Sequence, residues 1–408
     1  MPHHRTERLH ALDAVRAMAL LLGIVLHASM SFLPGPQIWV TQDVAGGPEF
    51  SFAFLIPHIF RLTLFFFIAG YFGRMAIDKR GIGGFLGDRA KRIALPLLVF
   101  WAPVFAMITA VFIWGFLKAN GGVVPEDTPP PQALELATLP LTHLWFLYVL
   151  LIFYVAAAGL SLLTALAGRI RPGTNSLDRL AAWVLRTPLG IFILAAPIAI
   201  WFLLSPAWYA SFGIPTPDTG FVPDPGALIA YGVAFGAGWL VQGQAGLLDA
   251  WRRWWPVNLA LALAATAICV HQLGLVPDFV PAAAGPGKAV LAASYAIASW
   301  AWTLAITGLA LQFWSGHSRT RRYLADSSYW LYILHLPLVM ALQVAVSDLA
   351  WPGAAKLALV LAITMIVLLG SYQLLVRHSW LGAWLNGRRH GDSAARPEAA
   401  LDTQTTQS

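Results

Sequence analysis

Runs of about twenty residues almost free of charge recur along this chain, and they constrain its fold more than any other feature. A helix of that length rises about 30 Å, the thickness of a bilayer's hydrocarbon core. No water is available at that depth, so the backbone must satisfy its own hydrogen bonds, and a helix does so within one segment. Ten spans are expected, at roughly 11–33, 54–74, 93–117, 140–167, 188–205, 226–243, 255–273, 289–314, 327–347 and 354–377. The fold class is therefore all-α and polytopic, with the lipid bilayer as a partner. Composition agrees: 58% of residues are hydrophobic, 11% are charged and the mean hydropathy is +0.67. A soluble domain carries about 25% charged residues. The first span continues into PGPQIW with no small-residue cleavage site, so it reads as an uncleaved helix. The span at 226–243 contains YGVAFGAG, which suits either close packing through small residues or a local break.

Charge orients the spans. With ten crossings, all of the 26 Lys and Arg residues except Arg61, Lys118, Lys288 and Lys356 fall on one side. Arg74, Lys79, Arg80, Arg89, Lys91 and Arg92 join spans two and three, and Arg319, Arg321 and Arg322 join spans eight and nine. The positive-inside rule then places both termini in the cytoplasm. Asp43, Asp218, Asp224, Asp278 and Asp348 fall on the opposite side. The net charge of +7 is accounted for by these loops, so no nucleic-acid partner is expected. The single Cys269 excludes an intrachain disulfide and a thiolate cluster, and no metal is expected. Residues 1–385 read as one transmembrane domain and 386–408 as a disordered cytoplasmic tail.

Polar residues inside the spans carry the functional signal, because they are costly there. Arg16 and His27 lie eleven residues apart in LDAVRAMALLLGIVLHASMSFL. That is close to three turns, so both project from one helix face about 16 Å apart. Asp13 can pair with Arg16, and an interfacial anchor is the plainer reading of that pair alone. Span two carries His58 and Arg61, with Arg61 at a depth comparable to His27; it either snorkels outward or stabilises charge in a cavity. Arg89, Lys91 and Arg92 stand at a helix start, as positive-inside anchors or as a phosphate site. His143, Trp145 and Tyr148 suit an aromatic belt or a carbohydrate-stacking rim. Span nine, DSSYWLYILHLPLVMAL, is expected to be capped by Asp326 or Ser327. His335 and Pro337 within it suggest a broken helix lining a cavity.

The stretches LDAVRAMALLLGIVLH, FRLTLFFFIAGYFGR, RAKRIALPLL, LTHLWFLYVLL and SSYWLYILHLPL, in this order, resemble the integral-membrane acyltransferase family, the acyltransferase-3 group. The likeness runs from Leu12 to about Leu338, and the family's arginine–histidine motif falls on Arg16 and His27. Glucan-succinylating members often have paired histidines before the span-nine proline, whereas Leu336 follows His335 here. The resemblance implies O-acyl transfer from a cytoplasmic acyl-CoA, acetyl or succinyl, to a hydroxyl of a periplasmic or cell-envelope glycan. It implies a bacterial inner-membrane location. With that reaction, the residues are expected to divide into His27, Arg61 and His335 for catalysis, Asp13, Arg16, Arg89, Lys91 and Arg92 for the acyl-CoA co-substrate, and His58, His143 and Trp145 for the carbohydrate acceptor. A homo-oligomer is compatible with the sequence. A transporter or flippase for an acidic or glycosyl solute is the alternative, since intramembrane Arg and His suit that role too. No internal repeat supports it.

Overall fold

The computed structural model describes residues 2–36, 39–130, 133–166, 183–244 and 246–386. The expected tail from 387 onward and the basic residues Arg169, Arg171 and Arg179 lie outside the described residues. Among the described residues the chain is helical without strands, apart from one isolated bridge between Pro140 and Thr219. The helices are α1 (Pro2–Ser29), α2 (Ser51–Arg89), α3 (Leu95–Ala119), α4 (Trp145–Leu166), α5 (Gly190–Leu204), α6 (Pro225–Gln242), α7 (Leu247–Leu273), α8 (Pro286–Phe313), α9 (Arg319–Val346), α10 (Gly353–Ser371) and α11 (Trp380–Asn386).

Eight helical stretches are long and apolar enough to cross a bilayer. One of them, Pro48–Ala119, holds the second and third expected spans and is kinked at Gly81, whose φ of +68° and ψ of 172° are not helical. Within it a π-turn at Ala90–Ala94 joins α2 to α3, and the carbonyl four residues before Pro96, Arg92 O, accepts from the Tyr329 hydroxyl at 2.8 Å. The fifth expected span, α5, is a shorter apolar helix of 15 residues. The protein is thus a polytopic α-helical membrane protein.

One alternative left open by the sequence is decided by packing, and two expectations about the helices are corrected. The stretch in α6 does not break. Gly238 meets the Phe67 carbonyl and Gly70 meets the Phe235 carbonyl, so α2 and α6 approach backbone to backbone, and a methyl at either position would collide. Helix α9 begins eight residues before Ser327, capped by the Ser318 hydroxyl accepting from the Arg321 N–H at 3.3 Å. It also remains helical through Pro337. The freed carbonyl four residues earlier, Ile333 O, finds a partner outside the helix.

Helix α1 packs on α2, α8 and α9, while α7 lies along α8. Helix ends gather into two layers. At one, the His10 and His317 rings meet at 5.6 Å and the Trp384 indole donates to the Lys91 carbonyl at 2.6 Å. At the other, Ser51 Oγ donates to the Leu275 carbonyl at 2.5 Å, and Lys356 pairs with Asp43 at 2.9 Å. The first layer is basic and the second holds most of the loop carboxylates, as the charge pattern predicts.

Candidate functional site

Between the two layers lies a cavity of about 1640 Å³, lined by α1, α2, α4 and α9 and by loops of both layers. Asp13, Arg16, His27, His58, Arg61, Arg89, Arg92, His143, Trp145 and His335 all line it. Lys91 does not; it is exposed, while its neighbour Arg92 turns inward.

The basic end is a network. Asp88 is shared by Arg80, by Arg92 at 3.1 Å and by Arg89 at 3.6 Å. Arg16 pairs with Asp13 at 3.3 Å and lies over the Phe72 ring. Arg322 pairs with Asp326 at 3.2 Å. Arg89 also lies over Phe85 and Tyr154, at 5.2 and 4.9 Å from the ring centroids. Lys79, Arg80 and Arg322 line the cavity too. Sequence reasoning placed them only as anchors, because nothing in a loop's charge tells which of its cations faces inward. The lining cations, Arg16, Lys79, Arg80, Arg89, Arg92 and Arg322, outnumber the acids beside them, Asp13, Asp88 and Asp326.

The middle is a histidine cluster. The His335 ring lies 5.3 Å from His27 and 5.0 Å from His143. His143 Nε2 donates to the carbonyls of Tyr332 (3.0 Å) and Ile333 (3.2 Å), the latter being the acceptor that Pro337 left open. His335 Nδ1 donates to Tyr332 O at 2.7 Å. A carbonyl can only accept, so each of these bonds fixes a tautomer. The neutral rings keep lone pairs on His335 Nε2 and His143 Nδ1, both buried without a partner. His27 Nδ1 is likewise buried and unpartnered. The Tyr332 hydroxyl donates to the His143 carbonyl at 2.7 Å, tying α9 to the turn before α4. In that turn Thr142 holds φ at +54°, a strained value for a β-branched residue, immediately beside His143.

Arg61 reaches the cluster from α2 and lies against Gly23 of α1, one turn before His27; a methyl at Gly23 would overlap its guanidinium. No ion pair among the described residues includes Arg61, and its Nε is buried without a partner. It does not snorkel. His58 lies 5.0 Å from the Phe54 ring and Trp145 5.9 Å from the Tyr231 ring, both on the cavity wall. The end opposite the cations is bordered by Tyr209, Phe212, Asp218, Asp224 and Phe279. Loop composition alone did not single these out.

The arrangement suits a long substrate with a polyanionic end, held by cations while its other end meets unprotonated ring nitrogens and a free guanidinium. A family model described as an acyltransferase domain, of the acyltransferase-3 family, matches residues 9–376. Glucans biosynthesis protein C of Escherichia coli (strain SMS-3-5 / SECEC) is 30% identical over 150 residues, 36% of this chain and 37% of that protein. The protein of the same name from Salmonella typhimurium is 28% identical over 157 residues, 38% of this chain and 39% of its own length. The chain thus matches less than two fifths of the length of these curated relatives. No solved structure matches it. With the family model covering nearly the whole transmembrane region, the chain belongs to the acyltransferase-3 family of membrane proteins.

Proposed function

We propose that this protein is a bacterial inner-membrane O-acyltransferase that moves an acetyl or succinyl group from cytoplasmic acyl-CoA to a hydroxyl of an envelope glycan. The observation that carries the reading is one continuous cavity joining a cation-rich mouth to three clustered histidines. The biased loop charge supports cytoplasmic termini and a donor arriving at the basic end. Arg16, Arg80, Arg89, Arg92 and Arg322 hold the donor's phosphates by charge-assisted hydrogen bonds. Tyr209, Asp218 and Asp224 at the other end suit a sugar, with a ring to stack on and carboxylates to accept hydroxyl protons.

In this mechanism His27 takes the proton of the acceptor hydroxyl as its oxygen attacks the thioester carbonyl. Arg61 stabilises the oxyanion; it has no carboxylate to compete for its charge. The C–S bond breaks, and the proton on His27 passes to the leaving thiolate to give CoA–SH. The bare Nε2 of His335 supplies a second acceptor that orients the hydroxyl.

The test is mass spectrometry of a glycan incubated with purified protein and acetyl-CoA or succinyl-CoA. A mass gain of one acyl group, lost in His27→Ala, is expected. Transport of labelled donor or glycan into proteoliposomes with no acylated product would establish the transporter reading instead.

A further inference from the structure

A side-chain clamp lies beside the histidine cluster. Gln343 of α9 is buried, with 1% of its surface exposed. Its Nε2 donates to the carbonyls of His27 (2.9 Å) and Ala28 (3.0 Å). These are among the last carbonyls of α1, which no residue inside the helix can satisfy. Its Oε1 accepts from the Trp39 indole N–H at 2.9 Å. Trp39 in turn lies nearly parallel to the His27 ring, with 9° between planes and 6.1 Å between centroids. One amide thus holds both the backbone of His27 and the ring stacked on it.

The loop carrying Trp39 is anchored as firmly. Asp43 N–H donates to Ser31 O at 2.8 Å and Gly47 N–H to Phe32 O at 3.0 Å. The Asp43 carboxylate takes both its oxygens to Lys356 Nζ at 2.9 Å, and the Lys356 side chain is fully buried. The Val40 carbonyl packs against Gly115 of α3, where a methyl would overlap it.

We propose that Trp39 and Gln343 are positioning residues for His27, fixing its ring plane and main chain so that one ring nitrogen faces the acceptor hydroxyl. The inference rests on His27 being the base. Chemistry makes the residue types specific. The two carbonyls demand a donor and the indole demands an acceptor, and at this length only a glutamine offers both. A glutamate at 343 has the same shape and sets a carboxylate against two carbonyls.

The experiment compares Gln343→Glu, Gln343→Leu, Trp39→Ala and Trp39→Phe with His27→Ala, using acetyl-CoA or succinyl-CoA, detergent-purified protein and thermal unfolding as a check on folding. Expected are a fall in kcat of at least ten-fold for Gln343→Glu and Trp39→Ala, unchanged donor KM, and substantial recovery in Trp39→Phe, which keeps the stacked ring. Loss of turnover in His27→Ala with near-normal kcat in folded Gln343→Glu and Trp39→Ala would overturn the clamp and leave the acyl-transfer reading intact. Retained turnover in His27→Ala would overturn both. If Trp39→Ala fails to fold, the kcat of Gln343→Glu alone decides the matter.

Discussion

The basic mouth of the cavity and its histidine-lined middle hold charge in opposite ways. At the basic mouth every acid is shared with guanidinium groups that remain partly hydrated; Arg16 and Arg80 keep 37% and 41% of their side-chain surface exposed. At the histidine cluster no carboxylate among the described residues pairs with the rings, and the polar atoms that are satisfied bond to main-chain carbonyls. A partly hydrated ion pair such as Arg16–Asp13 contributes little and exchanges partners readily, so under the proposed function an incoming phosphate displaces Asp13. A dry hydrogen bond to the backbone locks a ring and its tautomer before substrate arrives. Under the proposed function the mouth captures the donor and the cluster sets the geometry. The buried Asp43–Lys356 pair on the far side shows a third use of charge, as a fastening.

The sharpest way to break this comparison is at the cluster. His27→Ala should lower kcat by about 10²- to 10⁴-fold, with acyl-CoA binding by calorimetry unchanged. If donor affinity falls instead, the cluster belongs to capture. Next comes Lys356→Met. It strands the Asp43 carboxylate in a dry site and should cost about 3–5 kcal/mol of stability, read from unfolding of the detergent-solubilised protein. Adding Asp43→Leu should restore part of that loss, because no lone charge then remains. At the mouth, Arg80→Ala with Arg322→Ala should raise the donor KM about ten-fold and leave kcat within two-fold; 0.5 M salt, which cuts the screening length to roughly 4 Å, should mimic it. A fall in kcat without a change in KM would erase the distinction between capture and geometry. The smallest effect is expected for Asp13→Asn. It removes one half-exposed pair, so stability should move by less than about 1 kcal/mol, while donor binding should tighten slightly as Arg16 is released.

Much of the fold was legible because lipid imposes a simple demand, long uncharged runs with cations gathered to one side. The Arg16–His27 face followed from helical periodicity, and both residues line the cavity. Other features depended on pairings that no local pattern encodes. Arg92 and Lys91 are adjacent in sequence, yet Arg92 shares a face with Asp88 four residues back while Lys91 points outward. Pro337 read as a break, but the carbonyl it frees is taken by His143, from a segment 190 residues away. Trp39 and Gln343, 304 residues apart, carried no signal of any relation.

By itself the sequence determined that this is a helical membrane protein of fixed charge asymmetry, with a histidine and arginines set inside apolar runs where they are costly. Those conclusions rest on one-dimensional quantities, run length, periodicity and the distribution of charge. Only the tertiary structure decided which cations face inward, that three histidines from three helical segments meet, and which of their nitrogens stay free. Hydrogen-bond direction and ring approach depend on how distant helices pack, and packing is a property of three dimensions.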